Sequence, residues 1–167
     1  RWRGAGMAGW HTRLFTASPD GSDIALLGRE HVVSHFDWRD DQHVLAWSRH
    51  HGEDHFHLYR DRSAEVEVVG PDALLQDGHC SYSPDRKWIL TDTYPRHEPP
   101  QRTLILYEVA TNRRVDVGHF YASPDITGEI RCDLHPRWSR DGRQVCFDSI
   151  HEGERQMYAM DVADLVS

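Results

Sequence analysis

Three histidines recur at equivalent positions of this chain, and histidine can bind metal ions or transfer protons near neutral pH. Each histidine stands three residues before an aromatic residue, and an Asp-containing turn and a short apolar run follow it. The three pairs are His35 and Trp38, His79 and Tyr82, and His135 and Trp138. The repeated histidines predict a site assembled from several copies of one structural unit.

Histidine is also abundant, with 13 in 167 residues. Such enrichment is typical of metal binding or of acid–base chemistry. Four of the thirteen, His50, His51, His55 and His57, lie close together in the chain. For these four we prefer a simpler interpretation, in which they belong to an exposed loop and strand.

The elements that position the repeated histidines are predicted to be β-strands. The histidines are 44 and 56 residues apart, close to the period of propeller blades, which must stack to bury their faces. Short runs rich in Val, Ile, Leu, Trp and Tyr alternate with turns, and no segment keeps a helical apolar period. We therefore predict an all-β fold, a single partial β-propeller domain over residues 1–167. Its parts are a blade remnant at about 11–27 and blades of the four-stranded antiparallel type at about 34–70, 78–118 and 134–167, the last of which ends before a fourth strand is evident.

About three and a half blades do not close a ring, and open sheet edges are usually avoided in proteins. We expect missing blades or a second copy of the chain to complete the ring. Two long loops, at 94–102 and 119–133, are predicted to form the wall of a pocket. The three histidines are expected at the rim of the central opening on the same side.

The composition excludes several classes of partner. A formal net charge of −8 argues against nucleic acid and against an acidic membrane surface, because both bind clustered Lys and Arg. No apolar run approaches the roughly 20 residues of a membrane span. Three cysteines without a Cys-x-x-Cys spacing indicate a reducing compartment rather than a disulfide framework. With no signal peptide at the start of the sequence, we expect a cytoplasmic protein.

Four segments resemble oligogalacturonate lyase and its relatives, a branch of the TolB-like β-propellers. Residues 10–22, Trp-His-Thr-Arg-Leu-Phe-Thr-Ala-Ser-Pro-Asp-Gly-Ser, resemble that family's Arg-Ile-Trp strand and Asp-Gly-Ser turn. Ser-His-Phe-Asp-Trp at 34–38 is similar to its Gly-His-x-x-Trp. Residues 78–92 resemble its His-x-x-Ser-x-x-Asp-Gly stretch with a later Gly-Asp, and residues 135–153 its His-Pro-x-Phe segment. The Ser-Pro-Asp-Gly turns are common to all TolB-like propellers, whereas the ordered series Arg, His, His, His is more specific.

The resemblance implies a pectin-degrading lyase that cleaves oligogalacturonides by β-elimination with a divalent metal, Mn²⁺ in the family. It implies that Arg13 is the catalytic arginine, that His35 is the base, and that His79 and His135 bind the metal. The chain departs from the family at Asp133, where the family has a third metal histidine, and at residue 130, where isoleucine replaces a glutamine ligand. Asp133 can serve as a hard oxygen ligand, but the isoleucine cannot, so an altered metal site is expected.

The residue types alone are suited to β-elimination, independently of the family resemblance. Removing a proton next to a carboxylate requires a cation at the carboxylate and a base at the carbon, roles that a metal ion and a neutral histidine can fill. An arginine such as Arg13 can hold a second carboxylate or the departing sugar oxygen. Two alternatives remain open. In the first, the histidines are only hydrogen-bonding spacers between blades. In the second, the chain is a non-catalytic TolB-like propeller that binds a partner or serves as a scaffold.

Overall fold

The computed structural model describes residues 11–95 and 98–167. Trp10 of the motif at 10–22, and Arg96 and His97 of the loop predicted at 94–102, lie outside the described residues. Within these ranges the regular structure is almost entirely antiparallel β-sheet, which confirms the predicted all-β fold. The described residues form two compact units, which divide between Asp77 and Gly78. In the described residues, no helix is long and apolar enough to cross a membrane.

The first unit contains two sheets. A two-stranded sheet, β1 (Leu14–Thr16) and β2 (Ala25–Gly28), precedes a four-stranded meander whose strands pair in chain order. The meander consists of β3 (Val33–Trp38), β4 (His43–His50), β5 (Glu53–Arg60) and β6 (Val66–Val69).

The second unit repeats this plan. Its four-stranded meander consists of β7 (Cys80–Tyr82), β8 (Trp88–Asp92), β9 (Gln101–Glu108) and β10 (Arg113–Tyr121). The three-stranded sheet consists of β11 (Arg137–Trp138), β12 (Gln144–Ser149) and β13 (Gln156–Asp161). A 3₁₀ turn at Gly128–Ile130 and a four-residue helix, α1 (Ala163–Val166), accompany the sheets.

The tight turns between strands use aspartate side chains as the sequence predicts. Asp40, Asp85 and Asp141 each accept a hydrogen bond from the backbone N–H two residues further on. The residue after the aspartate in the Ser-Pro-Asp-Gly type of turn has a left-handed backbone, with φ of 81° at Gly21 and 70° at Gly142. Glycine accepts this conformation without steric cost. These contacts confirm the aspartates as turn residues.

Each unit has its own apolar core. The first is built mainly from β1 to β5, and the second from β8, β9 and β12, whose inward residues are almost fully buried. All five residues of β8 are buried, as expected of a strand covered on both faces. The first core comprises Leu14, Leu27, Val33, Val44, Ala46 and Tyr59, and the second Trp88, Leu90, Leu104, Leu106, Leu134, Val145, Phe147 and Val162.

Three local predictions are wrong. The loop predicted at 119–133 begins later, because β10 stays paired with β9 through Tyr121, opposite Gln101, after a register shift between Asp116 and Gly118. We interpret Trp38, Tyr82 and Trp138 from the sequence as residues that pack within the blades, but Trp38 is 45% exposed, whereas Tyr82 is buried. His57 is only 1% exposed, so it does not belong to an exposed strand.

Candidate functional site

His79 and His135 lie against each other in the second unit. Their ring centroids are 4.1 Å apart, with the planes tilted by 50°. His79 lies immediately before β7 and His135 two residues before β11, so corresponding positions of two sheets supply the pair. The predicted convergence of two repeat histidines is therefore present in the structure.

Asp92, at the end of β8, orients His79. Its carboxylate accepts a hydrogen bond from the His79 backbone N–H at 2.7 Å and lies 3.0 and 3.1 Å from Nδ1 of the ring. Asp92 is 3% exposed, and a buried carboxylate of this kind fixes the ring with its proton on Nδ1. The lone pair is then on Nε2, which is the arrangement of a metal-binding histidine with a supporting carboxylate.

His135 is held by its own backbone. Nδ1 of its ring lies 3.2 Å from the carbonyl oxygen of Asp133, and its φ of 42° is left-handed. A non-glycine residue in this region is strained, and such strain often accompanies a functional role. Burial is the main cause that lowers the pKa of His135 below its ordinary value, and the neighbouring His79 ring contributes to the shift. The shift favours the neutral form of the ring, which is the form that binds metal ions.

Asp133, the predicted third metal ligand, is bound to two arginines. Its Oδ1 accepts hydrogen bonds from Nη2 of Arg102 at 2.7 Å and from Nε of Arg131 at 2.8 Å. Oδ2 lies 2.5 Å from Nη2 of Arg131. Burial raises the pKa of Asp133, but the hydrogen bonds from the two guanidinium groups outweigh it and the net shift is downward. The carboxylate is charged and already has cationic partners.

The residues around the pair fit a divalent ion only in part. Two imidazoles are suitable ligands for manganese, iron or zinc, and Asp92 supplies the supporting carboxylate for one of them. Residue Ile130 is 67% exposed and has no ligand atom in its side chain. In the parts of the chain that are described, no group of three His, Cys, Asp or Glu side chains is placed to hold an ion. The pair thus offers two ligands, and Asp133 as a third remains a prediction.

His35, the predicted base, lies in the first unit on β3. Its Nδ1 is 3.0 Å from Oδ1 of Asp77 and 3.0 Å from Oγ of Ser34. The side chain is 17% exposed and that of Asp77 is 27% exposed. A carboxylate at Nδ1 places the lone pair on Nε2, as a general base requires. His35 thus repeats the histidine–aspartate arrangement of His79.

Arg13, the predicted catalytic arginine, lies just before β1 in the first unit and is exposed. Its guanidinium carbon is 5.3 Å from the centroid of the Phe15 ring, a cation–π contact at the surface. Its catalytic role remains a prediction.

Sequence reasoning missed the carboxylates and arginines that hold the histidines. Asp92 had a signal, because it is a charged residue at the end of the otherwise uncharged strand β8. Asp77 also had one, because it directly precedes the Gly-His pair at 78–79. No sequence signal indicated that Arg102 and Arg131 pair with Asp133. Arg102 is 31 residues from Asp133 in the chain.

The meanders are those of a β-propeller, which is the class of protein that the fold defines. Two solved structures are similar over most of this chain: TolB from Acinetobacter baumannii, with a TM-score of 0.68 and 20% identity over 89% of the chain, and oligogalacturonate lyase from Vibrio parahaemolyticus, with a TM-score of 0.66 and 16% identity over 92%. A protein assigned as TolB from Agrobacterium tumefaciens has a TM-score of 0.54 and 19% identity over 92%.

The match confirms the resemblance to the TolB-like propellers and to oligogalacturonate lyase at the level of the fold. The chain covers 35% of the first structure, 42% of the second and 60% of the third, so it spans about a third to three fifths of these proteins. No family model and no curated protein matches the sequence.

Proposed function

We propose that this chain is part of a metal-dependent lyase that cleaves uronate-containing oligosaccharides by β-elimination. The observation that carries the proposal is the His79–His135 pair, with ring centroids 4.1 Å apart and a buried carboxylate behind His79. The fold shared with an oligogalacturonate lyase adds support.

In the proposed reaction, His79 and His135 would hold a divalent ion, Mn²⁺ for preference, which would supply a Lewis acid for the substrate carboxylate. Nε2 of His35 accepts the proton from C5 of the uronate, the carbon next to the carboxylate. The C5–H electron pair forms a C4=C5 double bond, and the C4–O bond breaks. The departing oxygen takes up a proton from water and the His35 imidazolium returns its proton to water, so atoms and charge balance without an oxidant. Arg13 is proposed to hold a carboxylate or the departing oxygen.

The hydrogen bond between His35 and Asp77 supports the assignment of the base. It fixes the ring so that Nε2 carries the lone pair, and it stabilises the imidazolium that forms when the proton arrives. His35 is also partly accessible, with 17% of its side chain exposed. A base must reach its substrate, and a fully buried histidine would not.

A second candidate is a non-catalytic TolB-like propeller that binds a partner or serves as a scaffold. The pairing of Asp133 with Arg102 and Arg131 favours it, because a carboxylate with two guanidinium partners must lose one of them to bind a metal ion. In this case the histidines would serve only to hold neighbouring strands.

Metal binding separates the two candidates. The chelator-treated chain is titrated with Mn²⁺, and the bound ion is measured by electron paramagnetic resonance. The lyase proposal predicts one site that the double variant His79→Asn, His135→Asn lacks. Asparagine is chosen because it tolerates the left-handed backbone at residue 135. Mn²⁺ binding that is absent from the parent chain, or equal in both proteins, would favour the scaffold.

Activity then tests the base. Oligogalacturonides are supplied with Mn²⁺, and the unsaturated product is followed by its ultraviolet absorbance. His35→Ala is expected to reduce the rate by about 100-fold or more, the typical contribution of general base catalysis. His43→Ala is the control, because His43 lies in the same sheet and is also hydrogen-bonded to a carboxylate, that of Asp40 at 2.8 Å. Equal loss in the two variants would show that His35 is not the base.

A further inference from the structure

The β4–β5 hairpin of the first unit carries a second concentration of histidines, separate from the residues discussed above. His55 and His57 are two residues apart on β5 and therefore share one face of the sheet. Ser48 lies opposite His55 on β4, and His50 lies two residues further along that strand. We call His50, His55 and His57 the histidine row.

The rings of the row are close together. The centroids of His50 and His57 are 5.5 Å apart, and those of His55 and His57 are 6.1 Å apart. Two imidazoles that bind one ion, each with a metal–nitrogen distance of about 2.1 Å, have ring centres about 5 Å apart. The centroid separations of 5.5 and 6.1 Å in the row are only slightly longer than this. A small rotation of one side chain would bring two rings to the distance that a shared ion requires.

The ring at the centre of the row is already held in place. Nδ1 of His57 is 3.1 Å from Oγ of Ser48, which is 2.8 Å from the hydroxyl of Tyr59. Ser48, His57 and Tyr59 are all almost fully buried. Hydrogen bonding of the second ring nitrogen is the usual support of a metal-binding histidine.

Another ring of the row has an unsatisfied nitrogen. Nδ1 of His55 is buried without a hydrogen-bond partner in the described part of the chain. An unsatisfied buried polar atom costs about 1–3 kcal/mol, and a ligand that accepts its lone pair would remove that cost. Nε2 of the same ring lies 3.9 Å from Oε2 of the exposed Glu53.

Two carboxylates lie near the row. The pKa of Glu30 is lowered mainly by hydrogen bonds from the backbone N–H groups of Gly52 and His51, and His50 adds to the shift. The pKa of Asp54 is lowered mainly by its pair with Arg49, and His55 and His57 add to the shift. The pKa of His57 itself is lowered to about 4 by burial and by the neighbouring histidines. The central imidazole is therefore neutral at physiological pH, which is the form that binds metal ions.

Of the row, His50 lines a cavity of about 650 Å³ in the first unit. Its polar lining also includes Arg29, Glu30, His51 and Arg62. His50 is half-buried at the end of β4.

We propose that the histidine row is a second metal site, which binds a divalent transition-metal ion through the imidazoles of His50 and His57, with His55 beside them. The three side chains do not form a preformed three-ligand site, so binding turns the His50 ring toward His57. Imidazole ligands select Zn²⁺, Ni²⁺ or Cu²⁺ over Mg²⁺ or Ca²⁺.

The test uses the double variant His79→Asn, His135→Asn as the parent, so that the result does not depend on the proposed lyase site. Ni²⁺ is titrated by calorimetry at a pH above about 7, where histidine is largely neutral. We expect one equivalent of Ni²⁺ to bind, and His50→Asn or His57→Asn to weaken the binding at least about tenfold, the smallest loss typical of removing even a supporting residue of a metal site.

His43→Asn in the same parent is the control, because His43 lies on β4 but on the opposite face from the row. It should leave Ni²⁺ affinity unchanged. His50→Asn removes a half-buried ring at a strand end, so it tests the site even if His57→Asn fails to fold. The proposal is overturned if the parent binds no Ni²⁺, or if His50→Asn and His43→Asn bind it equally.

Discussion

At the scale of single residues, the buried carboxylate of Asp133 in the second unit is held by salt bridges. It shares a salt bridge with Arg102, whose side chain is 5% exposed. Removing one member of a buried ion pair leaves the other charged and uncompensated, at a cost of about 3–5 kcal/mol. We predict that Asp133→Ala lowers the free energy of unfolding by this amount, as measured by urea denaturation.

The matched control is Asp116→Ala in the same unit. Asp116 also pairs with an arginine, Arg114, at 2.7 Å, but both side chains are about a third exposed. Salt bridges near the surface contribute about 0–1 kcal/mol. If the two variants lost the same free energy of unfolding, the salt bridges of Asp133 would contribute no more to stability than a surface pair does.

His57 predicts how stability depends on pH. Its pKa is lowered to about 4 in the fold, first by burial and then by the charges of His50 and His55, from 6.5 in the unfolded chain. Between these values the unfolded chain binds the proton and the folded chain does not, so stability falls as the pH falls from 6.5 to 4. The loss amounts to about 3 kcal/mol. We expect it in urea denaturation curves recorded across this range.

Replacing His57 with asparagine should flatten this part of the pH profile, because the titrating group is gone. His51→Asn serves as the comparison, since His51 is exposed and has a φ of 52° that asparagine accepts. It should leave the profile unchanged. A profile that kept its slope in His57→Asn would show that another group causes the pH dependence.

At the scale of elements, the contact between the start of β7 and the end of β8 positions His79. A Cβ atom on Gly78 would lie 1.9 Å from the backbone oxygen of Asp92, well inside van der Waals contact. We predict that Gly78→Ala separates the two strands, with a loss of about 1–3 kcal/mol from overpacking, and breaks the hydrogen bond between His79 and Asp92. Urea denaturation and the NMR shifts of the His79 ring would report the two effects.

Gly118→Ala on β10 of the same sheet is the control. Its Cβ would meet only the far end of the Phe120 ring, at 2.9 Å, and a side chain moves more easily than a strand. It should leave the His79 ring shifts unchanged. A change of the same size in both variants would mean that the sheet responds as a whole, not through the Gly78 contact.

The strands were the best-predicted elements. Runs such as Trp88–Asp92 and Gln144–Ser149 carry apolar residues between turn signals, and local chemistry alone favours strands there. The end of β10 was missed because Gly118, His119 and Phe120 have no strong strand pattern. Pairing with β9 overrides that weak local preference.

At the scale of the whole molecule, two units with separate cores share one plan of antiparallel meanders. The three repeated histidines lie at the starts of the sheets, as the sequence spacing implied. The solved structures with the same fold are longer than this chain. The activity of a complete protein therefore stays part of the proposal.

The sequence by itself determined the all-β fold, the aspartate turns and the equivalence of His35, His79 and His135, because these depend on local residue types and on a repeat along the chain. Only the tertiary structure decided which side chains hold the histidines, that Asp133 pairs with two arginines, and that His57 is buried. Those features depend on strand register and packing between residues far apart in the sequence, which local patterns do not encode.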